Sequence, residues 1–578
     1  MSFVRATHAG DLAGDGPHAL SAGPVDLVGV RAPSGLRVYQ GRCPHQGALL
    51  GEGEIEGGAL VCRNHRWRFD VETGHRVGGS DCLRACPSEM RDGVLWVDAS
   101  QLEDAAASTA ARRRIDDLPG PRALPLLGNA LELDVPRLHL VIEGWAREFG
   151  PIFAMRVPGR RMVGVSDPAL IEQVLRARPE TYRRDDRVEP VFEELGVGGV
   201  FSAEGAAWRR QRRLAMEALA HKNLRGFYPT LASVAERLRA RWSAAADAGA
   251  EVDIQDDLMR FTVDVTTELV FGRDLDTLRG GDDVIQRHLE LVFPTFARRL
   301  NAIAPYWRLV RLPADRRVER ALAALREWLR GLIVETRAAL AKDTARAPRN
   351  FLESMLAARD EEGRPFSDDA IFGNAMQMLL AGEDTTANSL AFAVHLMCDE
   401  PDEVRAFRVE LDGALDGAPV PRTIEIALRL ERAAAIANEA MRLFPVAPLN
   451  FLTANHDATL GDVEIPKGTG VIVIGRPAAT DERHFAAARE FRPRRFLEPA
   501  RGAAHDAAVL LPFGSGPRIC PGRALAMLEM RVVLATLYAT FDVERVGPKE
   551  AVRERYSFTV APEGLRVRLR RREGRAVL

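Results

Sequence analysis

The sequence predicts a chain of two unlike parts: a small all-β domain over residues 1–98, then, after a linker at 99–117, a large mainly α domain with small β-sheets over 118–578. Three observations predict it. The chain has 578 residues, several times the roughly 150 that one domain usually takes, so more than one compact unit is expected. The pattern then changes along the chain. The first hundred residues are rich in Gly and in short apolar runs such as Leu27-Val28-Gly29-Val30, Leu36-Arg37-Val38-Tyr39 and Val94-Leu95-Trp96-Val97, which read as strands. From about Val135 a helical period dominates, interrupted by β-like runs near 153–165 and 471–474. Between the two lies a polar, Ala-rich stretch at 100–110, then Arg112-Arg113-Arg114, without apolar period, as expected of a linker. Leu118-Pro119-Gly120-Pro121 and Pro125 follow, and repeated Pro predicts a stiff, extended start to the second domain.

Composition narrows the function classes. Apolar residues at 46% and charged ones at 28% are ordinary globular values and exclude a fibre or wholesale disorder. With 79 Lys and Arg against 81 Asp and Glu the net charge is -2, which gives no electrostatic basis for a nucleic-acid or anionic-membrane surface. No apolar run approaches the ~20 residues that span a bilayer, and Met1-Ser2-Phe3-Val4-Arg5-Ala6-Thr7-His8 lacks the pattern of a signal peptide. A soluble, cytoplasmic protein with no membrane span is expected. Six cysteines, at 43, 62, 82, 86, 398 and 520, are too few for a disulfide framework and read as buried thiols or metal ligands.

The first chemical constellation is Cys43-Pro44-His45 and Cys62-Arg63-Asn64-His65. Each motif offers one thiolate and one imidazole, a set that a tetrahedral zinc ion also accepts. With Gly47 after the first loop and Trp67, Phe69-Asp70 and Thr73-Gly74 after the second, the pattern resembles the Rieske-type ferredoxin family. The resemblance implies a 2Fe-2S cluster with Cys43 and Cys62 on one iron and His45 and His65 on the other. Ala48 stands where high-potential members carry a further Cys, so a low-potential, ferredoxin-like electron carrier is implied. Cys82 and Cys86 fall outside the pattern and are expected to be buried thiols. Arg63, Arg66, Arg68 and Arg76 offer either a positive rim for an acidic reductase or a solvated strand face.

The second constellation is Phe513-Gly514-Ser515-Gly516-Pro517-Arg518-Ile519-Cys520-Pro521-Gly522, leading into a helical run. A cysteine just before a helix N-terminus is favoured as thiolate by the unpaired N–H groups and the helix dipole, and glycines allow close approach to a flat macrocycle. The stretch resembles the haem-binding signature F-x-x-G-x-R-x-C-x-G of cytochrome P-450 at every position. The resemblance implies haem b held by Cys520 as axial ligand, with Phe513 and Gly516 in its loop and Arg518 on a propionate. It extends over 118–578. Glu439 and Arg442, three apart on one helix face, precede Phe491-Arg492-Pro493-Arg494-Arg495-Phe496, so Glu439, Arg442 and Arg495 resemble the buried ion triad of that fold. Trp208-Arg209-Arg210-Gln211-Arg212 resembles its W-x-x-x-R helix, which implies Trp208 and Arg212 facing the propionates.

Ser367-Asp368-Asp369 is a good helix start, with a hydroxyl cap and acid in the first turn, and Phe372, Met376, Leu379 and Leu380 continue a helical period. Then comes Ala381-Gly382-Glu383-Asp384-Thr385-Thr386. An internal Gly costs about 1 kcal/mol against Ala, and Thr can turn its hydroxyl to the carbonyl four residues back, so a locally loosened helix is expected. On the residues alone this is a helix kink. It also resembles the A-G-x-D-T-T segment of the long central P-450 helix, which implies that Asp384 and Thr385 deliver protons during oxygen activation while Gly382 flanks the oxygen site.

Together these resemblances imply a fusion in which the Rieske domain passes electrons to a haem-thiolate monooxygenase that uses O2 to hydroxylate an apolar small molecule. No Gly-rich nucleotide fingerprint follows a strand, so a separate NAD(P)H-dependent flavoprotein reductase is implied. Oxidative coupling or rearrangement without oxygen insertion is the nearest alternative, and a haem and iron-sulfur redox sensor, against which Asp384-Thr385 counts, is another. A Rieske oxygenase would need two His and a carboxylate on one further iron, whereas the later histidines, at 139, 221, 288, 395, 456, 484 and 505, occur singly. The substrate pocket is expected from 187–201, 448–451 and 558–560.

Overall fold

The computed structural model describes residues 3–8, 12, 14, 16–22, 25–44, 49–62, 67–77, 81–98, 112–280, 284–300, 302, 305–342, 348–360, 362–497, 506 and 509–572. Strands β1 (Phe3–His8), β2 (His18–Ala22), β3 (Val25–Ala32), β4 (Gly35–Gln40), β5 (Glu54–Glu56), β6 (Ala59–Val61), β7 (Arg68–Asp70), β8 (Ser88–Arg91) and β9 (Val94–Asp98) make three antiparallel sheets in the orders β1-β9-β8, β2-β3-β4 and β5-β6-β7. β3 is apolar without alternation because both its faces are covered. Val28 and Val30 join Tyr39, Leu60 and Phe69 in one cluster, while Leu27 joins Leu20, Val38 and Val97 in another.

The second part is mainly helical. Its main sheet has the order β10 (Ile152–Val157), β11 (Arg160–Val165), β16 (Gly470–Ile474), β13 (Leu449–Ala454), β12 (Tyr182–Arg184). β11 and β16 run parallel, Met162 opposite Gly470, and the other pairs are antiparallel. A short hairpin, β14 (Ala458–Leu460) and β15 (Val463–Ile465), stands beside it. The helices that build the site are α1 (Pro168–Arg176), α2 (Gly205–Ala218), α3 (Ile254–Phe271), α4 (Asp368–Met397), α5 (Glu431–Leu443) and α6 (Arg523–Thr540). α4 runs for 30 residues and is buried on nearly all sides past its first turn, as expected of a helix at the centre of a large core. Ser367 Oγ accepts from Ala370 N at 3.2 Å, closing its N-terminus. No helix among the described residues is long and apolar enough to cross a membrane.

Two expectations are corrected here. The helix does not loosen at Gly382: it is continuous, and a Cβ on Gly382 would lie 2.9 Å from Thr266 Oγ1 of α3, so glycine serves the close approach of two helices. The linker is also shorter than its composition suggests. Arg113 pairs with Val463 as a parallel bridge and forms a two-pronged ion pair with Asp462, at 2.7 and 2.9 Å. Ile115 and Leu118 are buried with Val163, Ile171 and Val473. Residues from Arg113 onward therefore belong to the helical domain. Three arginines in a row hid the two inward-facing apolar residues that follow.

α5 carries a buried ion lock. Arg442 reaches Glu439 through Nε and Nη2, both at 2.7 Å, and donates to the Ala479 carbonyl at 2.7 Å, to Ala488 and to Glu490. Arg495 Nε and the Arg492 N–H also donate to Glu439 Oε1, at 3.0 and 2.8 Å. With both groups fully buried, the pair is stable only because nearly every donor is met. Glu439→Gln leaves two guanidinium groups under-neutralised and should cost about 3–5 kcal/mol of unfolding free energy. An unchanged denaturant midpoint would contradict the lock.

Candidate active site at the thiolate loop

The segment before α6 turns sharply. Gly514 and Gly516 take φ of +69° and +68°, the left-handed region that favours glycine. A Cβ on Gly516 would lie 2.4 Å from the Leu175 carbonyl at the end of α1, so this glycine lets the loop pack against α1. Phe513 O accepts from Cys520 N at 2.9 Å. The Cys520 side chain is exposed to solvent, yet protein crowds it closely enough that burial pushes the thiol up. The amides of Gly522 and Arg523 and the charges of Arg212 and Arg184 work the other way.

Four arginines converge beside this loop. Arg518 is buried and stacks over the Trp208 ring, 4.6 Å from its centroid. Its Nη2 donates to Ala203 O at 2.8 Å and to Glu204, whereas Nε and Nη1 are buried without a partner. Arg178 is 3% exposed and its Nε and Nη2 likewise lack partners. Arg184 donates from Nε to Phe201 O at 2.6 Å and lies 3.8 Å over the Phe201 ring. Burial, together with neighbouring positive charge, holds Arg178 well below its usual range and brings Arg184 down to about 10. Burial lowers Arg212 too. Of the carboxylates that act on Arg518, Glu204 is bonded to it, whereas Glu189 pairs with Arg183 and Glu180 with Arg209. Buried donors left unpaired are costly, so the pocket is built for an anion carrying more than one negative oxygen.

The sequence pointed to Arg518, Trp208 and Arg212, and the structure brings all three together. It missed Arg178, Arg184 and Glu204. The Arg-rich run from 176 to 187 was the available signal, but nothing local says which of its members turn inward.

On α4, Thr385 donates to Ala381 O at 2.7 Å, as its spacing predicts. Asp384 is half-buried, and desolvation raises its pKa with no countercharge to oppose it. A second acid was not foreseen. Glu529 of α6 is 2% exposed and hydrogen-bonds Thr386, and burial pushes it up to about 8. Two amides of α4 hold the segment that leads into α2. Gln377 accepts from Phe201 N at 2.7 Å and donates to Val197 O and Ser202 Oγ, both at 2.8 Å, and Asn374 accepts from Val200 N at 3.1 Å. This places the Phe201 ring 5.6 Å from Phe192 and 6.0 Å from Phe558. Segments 187–201 and 558–560 thus share an aromatic wall, whereas Leu449 and Phe451 pack with Phe153 and Ile472 in the sheet.

In the β domain, Cys43 and Cys62 are each 1% exposed and share one core cluster. The loop after Cys43 is closed by the Arg42–Leu49 bridge and the loop after Cys62 by its N–H to Trp67 O, 2.8 Å. His45 and His65 lie outside the described residues, as do Arg63 and Arg66. Cys86 is buried, which pushes its thiol up to about 11. Cys82 is exposed, contrary to expectation: it pairs with His75 in an isolated bridge between strands, and the next residue, Leu83, turns inward instead. Arg68 pairs with Glu56, and Arg76 stacks 3.4 Å over Trp67 and reaches Asp81 at 3.1 Å, so neither is a bare positive rim.

The model of the cytochrome P450 family matches residues 118–569. The chain belongs to the cytochrome P450 family. The model of the Rieske [2Fe-2S] domain matches residues 2–87, so the two are fused in one chain and imply haem and a 2Fe-2S cluster. The P450 part is similar to the self-sufficient cytochrome P450 monooxygenase CYP505E4 of Penicillium expansum, 28% identical over 471 residues, covering 80% of this chain and 44% of that one. Its counterpart CYP505E3 of Aspergillus terreus is 27% identical over 473 residues, with the same coverage. Cytochrome P450 714D1 of Oryza sativa subsp. japonica is 28% identical over 463 residues, 76% of this chain and 78% of that one. The chain spans under half the length of the self-sufficient relatives. The P450 residues fit a haem: Cys520 offers the soft thiolate ligand, and the orphaned N–H groups of Arg178 and Arg518 suit its two carboxylates.

Cys520→Ser should abolish the thiolate-type band of the reduced carbon-monoxide complex, while Cys398→Ser, at the half-buried end of α4, should leave it intact. Loss of the band in Cys398→Ser alone would contradict the assignment. Glu529 gives a pH test. Its folded pKa, about 8, lies above the ordinary carboxyl value, so the folded state binds the extra proton and stability falls as pH rises from about 4.5 to about 8. Glu529→Gln should flatten that fall and exceed the parent by a few kcal/mol at pH 8. Parallel stability curves for parent and variant would contradict a buried neutral acid.

Proposed function

We propose that the P450 domain inserts one atom of O2 into an apolar small molecule, with electrons passing through the Rieske domain from an NAD(P)H-dependent flavoprotein reductase on a separate polypeptide. The observation that carries this reading is one chain joining a thiolate loop with a charge-deficient carboxylate seat to an acid–alcohol pair on the long central helix α4. The overall balance is RH plus O2, two electrons and two protons, giving ROH and water. Bound haem with a thiolate ligand supplies the oxygen chemistry.

The chain's own residues do the rest. Arg178, Arg184, Arg212 and Arg518 would hold the carboxylates and so fix the orientation of the group above Cys520. Phe192, Phe201 and Phe558 offer an apolar wall that excludes water and favours an apolar substrate. Desolvation makes Asp384 easier to protonate, which suits its carboxyl to taking up a proton and passing it on. Thr385 keeps its hydroxyl on the Ala381 carbonyl, one residue from that acid. In the Rieske domain Cys43 and Cys62, with His45 and His65, would hold the cluster. A cytoplasmic setting, where these thiols stay reduced, belongs to the same proposal. The relatives named self-sufficient suggest the opposing arrangement, an electron supply needing no separate reductase.

The test is turnover of the purified chain under 18O2, with substrates chosen by a shift of the ferric haem absorbance. One 18O atom per product is expected, and only when a flavoprotein reductase is added. Product without label would exclude oxygen insertion, and turnover with NAD(P)H alone would exclude a separate reductase. Asp384→Asn should slow product formation about 100-fold without altering the haem spectrum; an unchanged rate would remove Asp384 from the proton path. The protein should also carry two non-haem irons and two labile sulfides per haem. One zinc without sulfide would end the cluster assignment.

A further inference from the structure

The two aromatic rings that meet in the wall, Phe201 and Phe558, come from segments far apart in sequence, and α4 holds both. On one side a Cβ on Gly373 would strike the Gly198 carbonyl, so the segment leading to Phe201 lies directly on the helix. Gln377, which is buried, takes the Phe201 N–H on Oε1 at 2.7 Å and bridges Val197 O and Ser202 Oγ through Nε2. The backbone that carries the Phe201 ring is thereby fixed from α4.

On the other side stands Asn388, also buried. It donates from Nδ2 to Thr559 Oγ1 at 3.1 Å and accepts from Gln255 Nε2 of α3 at 3.1 Å. Thr559 is buried beside Phe558 in the turn of the hairpin Arg553–Tyr556 and Val560–Glu563. The Val560 N–H bonds Val446 O at 2.9 Å, and Glu554 pairs with Arg476 at 2.6 Å. Those two contacts hold the hairpin, whereas Asn388 holds its turn.

Helix geometry joins the two anchors. Gln377 and Asn388 are eleven residues apart on one continuous helix, about three turns, which puts them on one face. Asp384, seven residues after Gln377 and four before Asn388, lies on that face between them. One stripe of α4 therefore carries the acid of the oxygen site and, on either side of it, a buried amide bonded to each half of the wall.

We propose that Gln377 and Asn388 are specificity-determining positioning residues: they set how closely the Phe201 and Phe558 rings meet, and with that which apolar groups fit against them beside Asp384. This rests on the reading of those rings as the wall against an apolar substrate, and it names what sets the selectivity of that wall. The amides act through the rings and touch no reacting atom.

The experiment titrates the full-length ferric holoprotein with imidazole and with 4-phenylimidazole, followed by the haem absorbance. Both probes offer the iron the same kind of nitrogen, and only the second brings a ring to the wall. The parent should bind 4-phenylimidazole at least tenfold more tightly. In Gln377→Met, Asn388→Ala and Thr559→Val that preference should fall at least fivefold, with imidazole affinity, haem content and the reduced carbon-monoxide band unchanged. Thr559→Ser keeps the hydroxyl and should keep the preference. Asn388→Ala combined with Thr559→Val should lose no more than either alone, because both remove one bond. Gln377→Met and Thr559→Val conserve size, so they carry the test even where Asn388→Ala does not fold. A parental preference retained in these variants, or lost equally in Thr559→Ser, overturns the positioning role and leaves the wall standing. Equal affinity of the parent for both probes overturns the wall itself, and the proposal with it.

Discussion

The constraint on which the site depends is an unbalanced concentration of buried positive charge. Arg178, Arg184, Arg212 and Arg518 come from the segment before β12, β12 itself, α2 and the thiolate loop, and the carboxylate bonded among them is Glu204, while Glu189 and Glu180, which also act on Arg518, have arginine partners of their own. Burial depresses all four, and donors of Arg178 and Arg518 have no acceptor. A fold does not keep unpaired guanidinium groups in its interior for stability, since burying them costs more than exposing them. Their convergence is explained by a ligand that brings the missing negative oxygens, and Cys520 beside them would supply the thiolate for its metal. The aromatic wall inherits its placement from the same group, because Arg184 fixes Phe201 by both its carbonyl and its ring.

The contrast with α5 separates structure from function. Arg442 is buried more completely than any of the four, yet every one of its donor nitrogens is met, two by Glu439 and the rest by backbone carbonyls. A balanced cluster locks the fold and an unbalanced one receives a ligand. The buried acids follow the same logic with the sign reversed. Among the described residues no cation opposes the desolvation of Asp384 on α4 or Glu529 on α6, so burial favours their protonated forms. Glu529, pushed up to about 8, is the one of the two that holds its proton at neutral pH.

What could be read from the sequence was whatever sits in a short string. The thiolate loop, the Trp208–Arg212 spacing, the Ser367 cap and the Asp384-Thr385 pair are each set by neighbours within about ten residues, and the structure shows each in place. The β domain was legible from alternation, except at Cys82, where an isolated bridge to His75 decided which side chain turned inward. What could not be read depends on contacts between distant segments. Gly382 and Gly516 are glycine because of Thr266 and Leu175, more than a hundred residues away in each case. Arg178 and Arg184 look like surface residues until β12 and the thiolate loop close over them. Arg113 looks like linker until Asp462 is seen opposite it.

The central claim is that the arginine cluster is a seat for two carboxylates, and ligand chemistry tests it without altering the protein. Haem-free protein titrated with haem and with haem dimethyl ester, followed by the growth of the bound absorbance, compares the same ring and iron with and without the charges. The account predicts that the ester binds at least 100-fold more weakly, tenfold or about 1.4 kcal/mol for each carboxylate lost, and that the difference shrinks in Arg178→Ala. Equal affinity for the acid and its ester would contradict it.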